Sequence, residues 1–256
     1  MTMSPDLRYD VTDHVADITL ARAPVNALNL SLLDQLLDAL RRAAADQDVR
    51  AVVLTSAVPR QFCAGLDLSV IAGKSEADVR PFLQKLYLEL ADIQHNLGKP
   101  SIAAVTGAAR GGGMTLSILC DVIVAGESAS FGYPEINVGV VPAIHFVHLP
   151  RIVGRHRAFE LLFTGRSFGA EEAASLGLVS RVVPDADVLS EARAMARAFA
   201  AKSPATMRAA RAAFTRTNGL DRASIEAAVD DFCRVVATPD AQEGLRAFAE
   251  KRAPKW

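Results

Sequence analysis

At 256 residues the chain can bury a substantial core, and its composition, half hydrophobic and 22% charged, is that of a globular protein, not a disordered one. A formal net charge of −1, with no block of lysine and arginine, gives no electrostatic basis for partnership with nucleic acid or an anionic membrane surface. Cys63, Cys120 and Cys233 sit in apolar contexts without a CxxC pair, which predicts reduced, buried thiols in a cytoplasmic protein.

The N-terminal stretch MTMSPDLRYDVTDH has no basic start followed by an apolar run, so no signal peptide is expected. No apolar stretch reaches the ~18 residues that a membrane helix needs. His14 to Leu20 is strand-like, and Arg22 to Asn29 (RAPVNALN) is a loop. Ser31 is placed to cap a helix whose stripe is Leu32, Leu33, Leu36, Leu37 and Leu40. Val49 to Thr55 is a strand. Asp78 to Leu97 is an amphipathic helix, closed by Lys99-Pro100 before a strand at Ser101 to Val105. Another strand follows at Asp121 to Ala125. Strands alternating with helices predict an α/β layer arrangement with crossover connections. From Asp187 the character changes to Ala-rich helical stretches, separated by Pro204, Asn218-Gly219 and Pro239, with no strand between them. Two modules are therefore expected, 1–186 and 187–256. The apolar faces of the second need a partner, which could be another subunit or the chain's own core.

Two strand-to-helix turns carry the chemistry. Gly111, Gly112 and Gly113 join an apolar strand to the segment Met114 to Leu119. Consecutive glycines leave backbone N–H groups unscreened at a helix start, where the dipole favours an anionic oxygen. The second turn is FCAGLDL, Phe62 to Leu68, after the run Ala51 to Leu54, with Asp67 near an N-cap position. Each turn can lend one N–H to a single oxygen, which makes an oxyanion hole. Glu135 follows Pro134 amid Phe131, Tyr133, Ile136 and Val138. Such apolar surroundings disfavour a carboxylate's charge and raise its pKa towards useful acid–base values.

FCAGLDL, GGGMTLSILCDVIVA, FGYPEINVGVVP, RAFELLFTGRSFGAEEAASLGLVSRVV and EGLRAFAEKRAPKW, in that order, resemble the crotonase (enoyl-CoA hydratase/isomerase) superfamily over almost the whole chain. The resemblance implies a spiral of ββα units for residues 1–186 and a C-terminal helical trimerisation module for 187–256, in a homotrimer or hexamer. It implies an acyl-CoA thioester substrate and no separate cofactor, coenzyme A entering as part of the substrate. By the same mapping Glu135 is the catalytic acid/base, and Ala64 and Gly112 give the oxyanion N–H groups. Val25, Ala27, Gly65, Leu66, Asp67, Leu68 and Gly111 match stretches that contact the substrate. Asp67 could instead simply cap the following turn. Arg22 is a candidate phosphate partner, and Phe248 and Lys251 match positions that can approach CoA on a neighbouring subunit.

Two departures from the pattern bear on the reaction. Hydratases of the superfamily carry a second glutamate just after GGG, where this chain has Thr115. A threonine cannot ionise usefully near neutrality. Moving a double bond needs one base, whereas adding water divides more naturally between two acids. The expectation therefore leans to isomerisation, with hydration by Glu135 alone, or an inactive acyl-CoA-binding protein, as alternatives. The second departure is the loop after Pro142, where a Gly-rich, Gln-Arg stretch is replaced by Ala143 to His148. His145 is there a candidate proton carrier in the acyl pocket, or a packed imidazole. Val140 to Leu149 holds no aspartate, which disfavours the dehalogenase branch.

Overall fold

Residues 6–256 are described by a computed structural model. Strands β1 (Leu7–Thr12) and β2 (Val15–Leu20) form a hairpin, followed by helix α1 (Leu30–Ala45), strand β3 (Ala51–Ser56) and the short strand β4 (Gln61–Cys63). Helices α2 (Glu76–Leu83) and α3 (Leu90–Asn96) are continuous through a π-helical turn, Gln84–Glu89. Then come β5 (Ser101–Val105), β6 (Ala108–Arg110), α4 (Gly112–Ile118), β7 (Val122–Gly126) and β8 (Ser130–Gly132). A 3-10 turn, Pro134–Val138, leads to α5 (Ala143–Val153), α6 (Arg155–Thr164), β9 (Ser167–Gly169), α7 (Ala170–Ser175) and β10 (Arg181–Val183). Helices α8 (Val188–Ala200), α9 (Pro204–Asn218), α10 (Arg222–Val236) and α11 (Pro239–Ala249) complete the chain.

The larger sheet has the order β1-β2-β3-β5-β7-β10, parallel except for the β1–β2 hairpin. Its central strands carry near-continuous apolar runs because both faces are covered. Val53, Ile102, Ala104 and Val124 face Val188, Ala192 and Ala196 of α8, while Val52, Leu54, Ala103 and Val105 face the main core. In α1 the five leucines Leu32, Leu33, Leu36, Leu37 and Leu40 are all buried. The cap of this helix is Asn29, whose side chain accepts from the Leu32 N–H at 2.8 Å, two residues earlier than Ser31.

The smaller sheet, β4-β6-β8-β9, was not foreseen in the sequence. Its first three strands run parallel, and β9 is antiparallel to β8. The C-terminal helices do not stand apart as a module. The expected boundary at residue 187 falls just before α8, which is docked on the larger sheet. Helix α10 packs on α2 and α5, and α11 packs on the Pro134–Val138 turn. The chain's own core is thus the partner of these three helices. Helix α9 is the exception: Arg211 is its buried side chain, and it ties the helix to Asp121 at 2.9 Å and to the Gln94 carbonyl at 2.8 Å.

Candidate active site

Three parallel strands of the smaller sheet end side by side, and a turn leaves each one. Strand β4 ends at Cys63 and gives Ala64-Gly65-Leu66. Strand β6 ends at Arg110 and gives Gly111-Gly112, and β8 ends at Gly132 and gives Tyr133-Pro134-Glu135. Carboxyl ends of parallel strands are where α/β folds place ligands, because connecting turns converge there with backbone amides free. Register therefore brings together three turns that are far apart in sequence.

The first two turns interlock through bare backbone. A Cβ on Gly113 would meet the Cys63 carbonyl oxygen at 2.3 Å, and one on Gly65 would lie 3.0 Å from the Arg110 oxygen and 3.4 Å from the Gly112 nitrogen. Only glycine permits this contact. The structure corrects the expected donor on the first turn. The Ala64 N–H is committed to the Val25 carbonyl at 3.0 Å and cannot turn to a substrate oxygen. Leu66 follows Gly65 (φ +97°), and its bridge with Leu28 is made by its neighbours: Leu28 N–H donates to the Gly65 oxygen at 2.7 Å, and Asp67 N–H to the Leu28 oxygen at 2.9 Å. Among the described residues the Leu66 N–H has no acceptor. Neither has the Gly112 N–H, the first of α4 and outside the helix's own bonding. The Gly65 carbonyl carbon, bonded to Leu66 N, lies 3.6 Å from where a Gly112 Cβ would stand, so the two free amides are close neighbours.

The third turn brings the acid. Gly111 holds φ +47° and ψ −111°, a conformation closed to side-chain-bearing residues, and a Cβ there would be 2.8 Å from Glu135 Oε1. The carboxyl group of Glu135 therefore lies against the turn that presents Gly112. Glu135 is half-buried, its Oε2 is closed to solvent without a hydrogen-bond partner, and desolvation pushes its pKa up to about 7. A carboxylic acid so tuned can give or take a proton near neutrality.

Behind it lies a buried polar layer. The segment after Pro142, expected as a loop, is helix α5, and it turns His145 and His148 inward. His145 Nε2 lies 3.2 Å from the Gly111 carbonyl and 3.3 Å from Thr115 Oγ1, with its ring 4.6 Å from that of Tyr133. Thr115 is buried against this histidine. Burial holds both imidazoles neutral, pushing His148 down to about 3 and His145 well below the usual histidine range.

The remaining expected residues frame the site. Asp67 caps the 3-10 turn Leu68–Val70, accepting from Ser69, and pairs with Arg22 at 2.9 Å. Ser69 first, with Arg22 assisting, holds the Asp67 carboxyl below its ordinary range. Arg22 also donates to the Ala27 carbonyl at 2.7 Å, so its guanidinium braces this loop. Val25 serves as acceptor for Ala64, and Leu66 and Leu68 pack partly buried on the core. Asn26, a residue sequence reasoning passed over, is fully buried and donates to Ser56 Oγ and the Phe62 carbonyl, pinning the loop to β4. Phe248 and Lys251 are exposed, away from these contacts.

Interlocked glycine turns at the ends of parallel strands, with a half-buried carboxylic acid beside them, define a protein of the crotonase superfamily. The chain belongs to the enoyl-CoA hydratase/isomerase family, whose model matches residues 10–256. It is 37% identical to a probable enoyl-CoA hydratase of Mycobacterium bovis over 253 residues, 94% of each chain. It is 36% identical to the mitochondrial methylglutaconyl-CoA hydratase of Mus musculus, over 90% of this chain and 75% of that protein. Among solved structures, an enoyl-CoA hydratase from Bacillus anthracis superposes with TM-score 0.79 at 36% identity, covering 98% of both chains. A carnitinyl-CoA hydratase from Mycobacterium avium superposes with TM-score 0.86 at 32% identity, covering 99% of both.

Proposed function

We propose that the protein is an acid–base enzyme acting on an enoyl-CoA thioester, with Glu135 as its single proton carrier and double-bond migration as its favoured reaction. The observation that carries this reading is one ionisable group where chemistry needs a proton moved. Glu135 has its pKa raised to about 7, whereas Thr115 cannot ionise and His145 is a buried neutral imidazole with its Nε2 at the Gly111 carbonyl.

In this mechanism the thioester oxygen sits between the N–H groups of Leu66 and Gly112. The Glu135 carboxylate removes a proton from C2 of a 3-enoyl thioester. The C–H electron pair forms a C1–C2 double bond as the carbonyl π pair moves onto the thioester oxygen, giving a dienolate conjugated with the C3–C4 double bond. Glu135 then returns the proton to C4: the carbonyl re-forms, the C1–C2 pair becomes the C2–C3 double bond and the C3–C4 π pair takes the proton, giving the 2-enoyl thioester. Two amide donors aimed at the developing oxyanion contribute most where its charge is greatest, and deleting one such donor costs roughly 3–4 kcal/mol of barrier in comparable sites.

A second reading, hydration of a 2-enoyl thioester with Glu135 holding the water, draws on the names of the relatives, which are hydratases at 35–37% identity. Purified protein given a 3-enoyl-CoA and, separately, crotonyl-CoA separates the two. Faster conversion of the 3-enoyl thioester supports migration, and faster loss of crotonyl absorbance supports hydration. Turnover of neither across short, medium and branched acyl chains rejects both in favour of a binding protein. Equal turnover by Glu135→Gln refutes the role of the carboxylate.

A further inference from the structure

The peptide joining Gly111 to Gly112 has two ends. Its N–H is the free amide of Gly112, and its C=O belongs to Gly111. In a trans peptide these two groups point in opposite directions within one rigid plane, so whatever grips the oxygen aims the N–H. Flanking φ and ψ would otherwise let the plane rotate, and two glycines in succession restrain that rotation least of any pair.

Two donors grip this oxygen. Thr115 N–H reaches it at 3.1 Å as the first bond of α4, and His145 Nε2 reaches it at 3.2 Å from α5. A carbonyl oxygen only accepts, so the second contact requires the proton of His145 to be on Nε2. The ring is fixed for that task. His145 is 1% exposed, its centroid stands 4.6 Å from Tyr133 and 5.2 Å from His148, and Thr115 Oγ1 lies 3.3 Å from the same Nε2. Residue 115 thus meets this arrangement twice, its amide donating to the Gly111 carbonyl and its hydroxyl oxygen accepting a share of the same Nε2 proton.

We propose that His145 is a positioning residue: by donating from Nε2 to the Gly111 carbonyl it locks and polarises the Gly111–Gly112 peptide, so that the Gly112 N–H is held ready for the substrate's thioester oxygen. This rests on the reading of the site as a thioester oxyanion hole. Two donors on one carbonyl use both its lone pairs and draw electron density through the amide, which makes the N–H at the other end a stronger donor. Thr115 and His145 form one device in this chain. The short threonine leaves the imidazole room beside the turn, and the imidazole supplies a restraint on the plane that α4 alone does not complete.

The test uses the whole protein, steady-state kinetics on the enoyl-CoA it turns over, and a conjugated aryl-enoyl-CoA as probe, whose absorption band moves to longer wavelength when its carbonyl is polarised. His145→Phe keeps ring bulk and removes the donor. His145→Gln can return an amide N–H to the place of Nε2, and His145→Asn is too short to do so. Removing the restraint should cost less than the ~10²–10³-fold of deleting an oxyanion donor outright, so His145→Phe is expected to lower kcat roughly tenfold with KM little changed. It should also lose most of the band shift, and His145→Gln should restore much of both. If His145→Phe does not fold, Gln retaining more kcat and band shift than Asn sustains the proposal, and Gln equal to Asn overturns it. A folded His145→Phe protein with the wild-type band shift and kcat overturns it, as does a loss confined to KM, which would make the imidazole an acyl-pocket contact. Wild-type turnover and band shift with indifferent variants rejects this inference alone. A wild-type protein that neither turns over any enoyl-CoA nor shifts the band rejects the oxyanion-hole reading, and the proposal with it.

Discussion

Glu135 keeps its proton to about pH 7 in the folded chain, against an ordinary value of 4.5, because burial penalises the charged form. As a base it must be ionised, so double-bond migration should fall as pH drops through about 7, and Glu135→Gln should lose about 10²-fold or more at every pH. The effect on stability has the opposite sign. Between pH 4.5 and about 7 the folded state binds more proton than the unfolded one, so this residue's contribution to stability declines as pH rises through that window and levels off above it. At 1.36 kcal/mol per pH unit the loss is at most about 3 kcal/mol, less to the extent that solvent reaches the half-buried group. Thermal melts of wild type and Glu135→Gln should therefore agree more closely at pH 5 than at pH 8.5, where the variant gains. A wild-type melting curve that does not change between those values rejects the raised pKa. Gly111 yields a second expectation. Alanine there needs φ +47° and a Cβ 2.8 Å from Glu135 Oε1. Backbone strain alone costs about 1–3 kcal/mol, so Gly111→Ala should melt lower and lose nearly all turnover, because its Cβ displaces the acid.

Elements long enough to show a period were legible in the sequence, and short ones were not. The strand at Ser101–Val105 was expected and found with the same ends, since its apolar run is bounded by Pro100 and Thr106. Four C-terminal helices break at Pro204, Asn218-Gly219 and Pro239 as read. Strands β4, β6, β8 and β9 have three residues each, too few for alternation to register. The site's turns were therefore visible while the sheet that aligns them was hidden. That gap explains the misplaced donor. The family mapping assigned Ala64, but strand pairing decides which amide stays free, and pairing with the Val25 loop takes Ala64 and leaves Leu66. Helix α5 was read as a loop because the segment was matched to the Gly-rich stretch of the superfamily, and its Pro150 does not interrupt the helix. The proline lies late in the helix, and the carbonyl it leaves unpaired is that of Phe146, whose residue reaches solvent. The docking of α11 carries a prediction at this scale. A Cβ on Gly244 would stand 2.4 Å from the Val138 oxygen at the end of the turn that bears Glu135. Gly244→Val should push α11 off that turn, lowering both melting temperature and kcat. Unaltered kcat in a folded variant would show that the helix is not coupled to the acid.

At the scale of the molecule, what the fold leaves uncovered is informative. Phe146, Phe159 and Phe163 stack along α5 and α6, with centroids 5.8 and 4.0 Å apart, and Phe159 and Phe163 are 54% and 49% exposed. Helix α9 is almost wholly in water, with Phe214 at 68%. Full burial of one such ring is worth about 1.5–3 kcal/mol, and contiguous aromatic patches of this kind mark contact surfaces. The homotrimer or hexamer implied by the family resemblance would give these rings cover. Light scattering coupled to size exclusion should then find three or six times 27.3 kDa, and Phe159→Glu with Phe163→Glu should lower that mass. Leu66, Gly112 and Glu135 all come from one chain, so a dissociated variant should keep kcat within a few-fold while KM absorbs any help that a neighbour gives to the CoA moiety. A wild-type mass of 27.3 kDa would reject the assembly. An unchanged mass in the double variant would move the interface away from this aromatic face, towards α9. Loss of kcat on dissociation would mean that the alignment of the three turns depends on the neighbour and not on the four-stranded sheet alone.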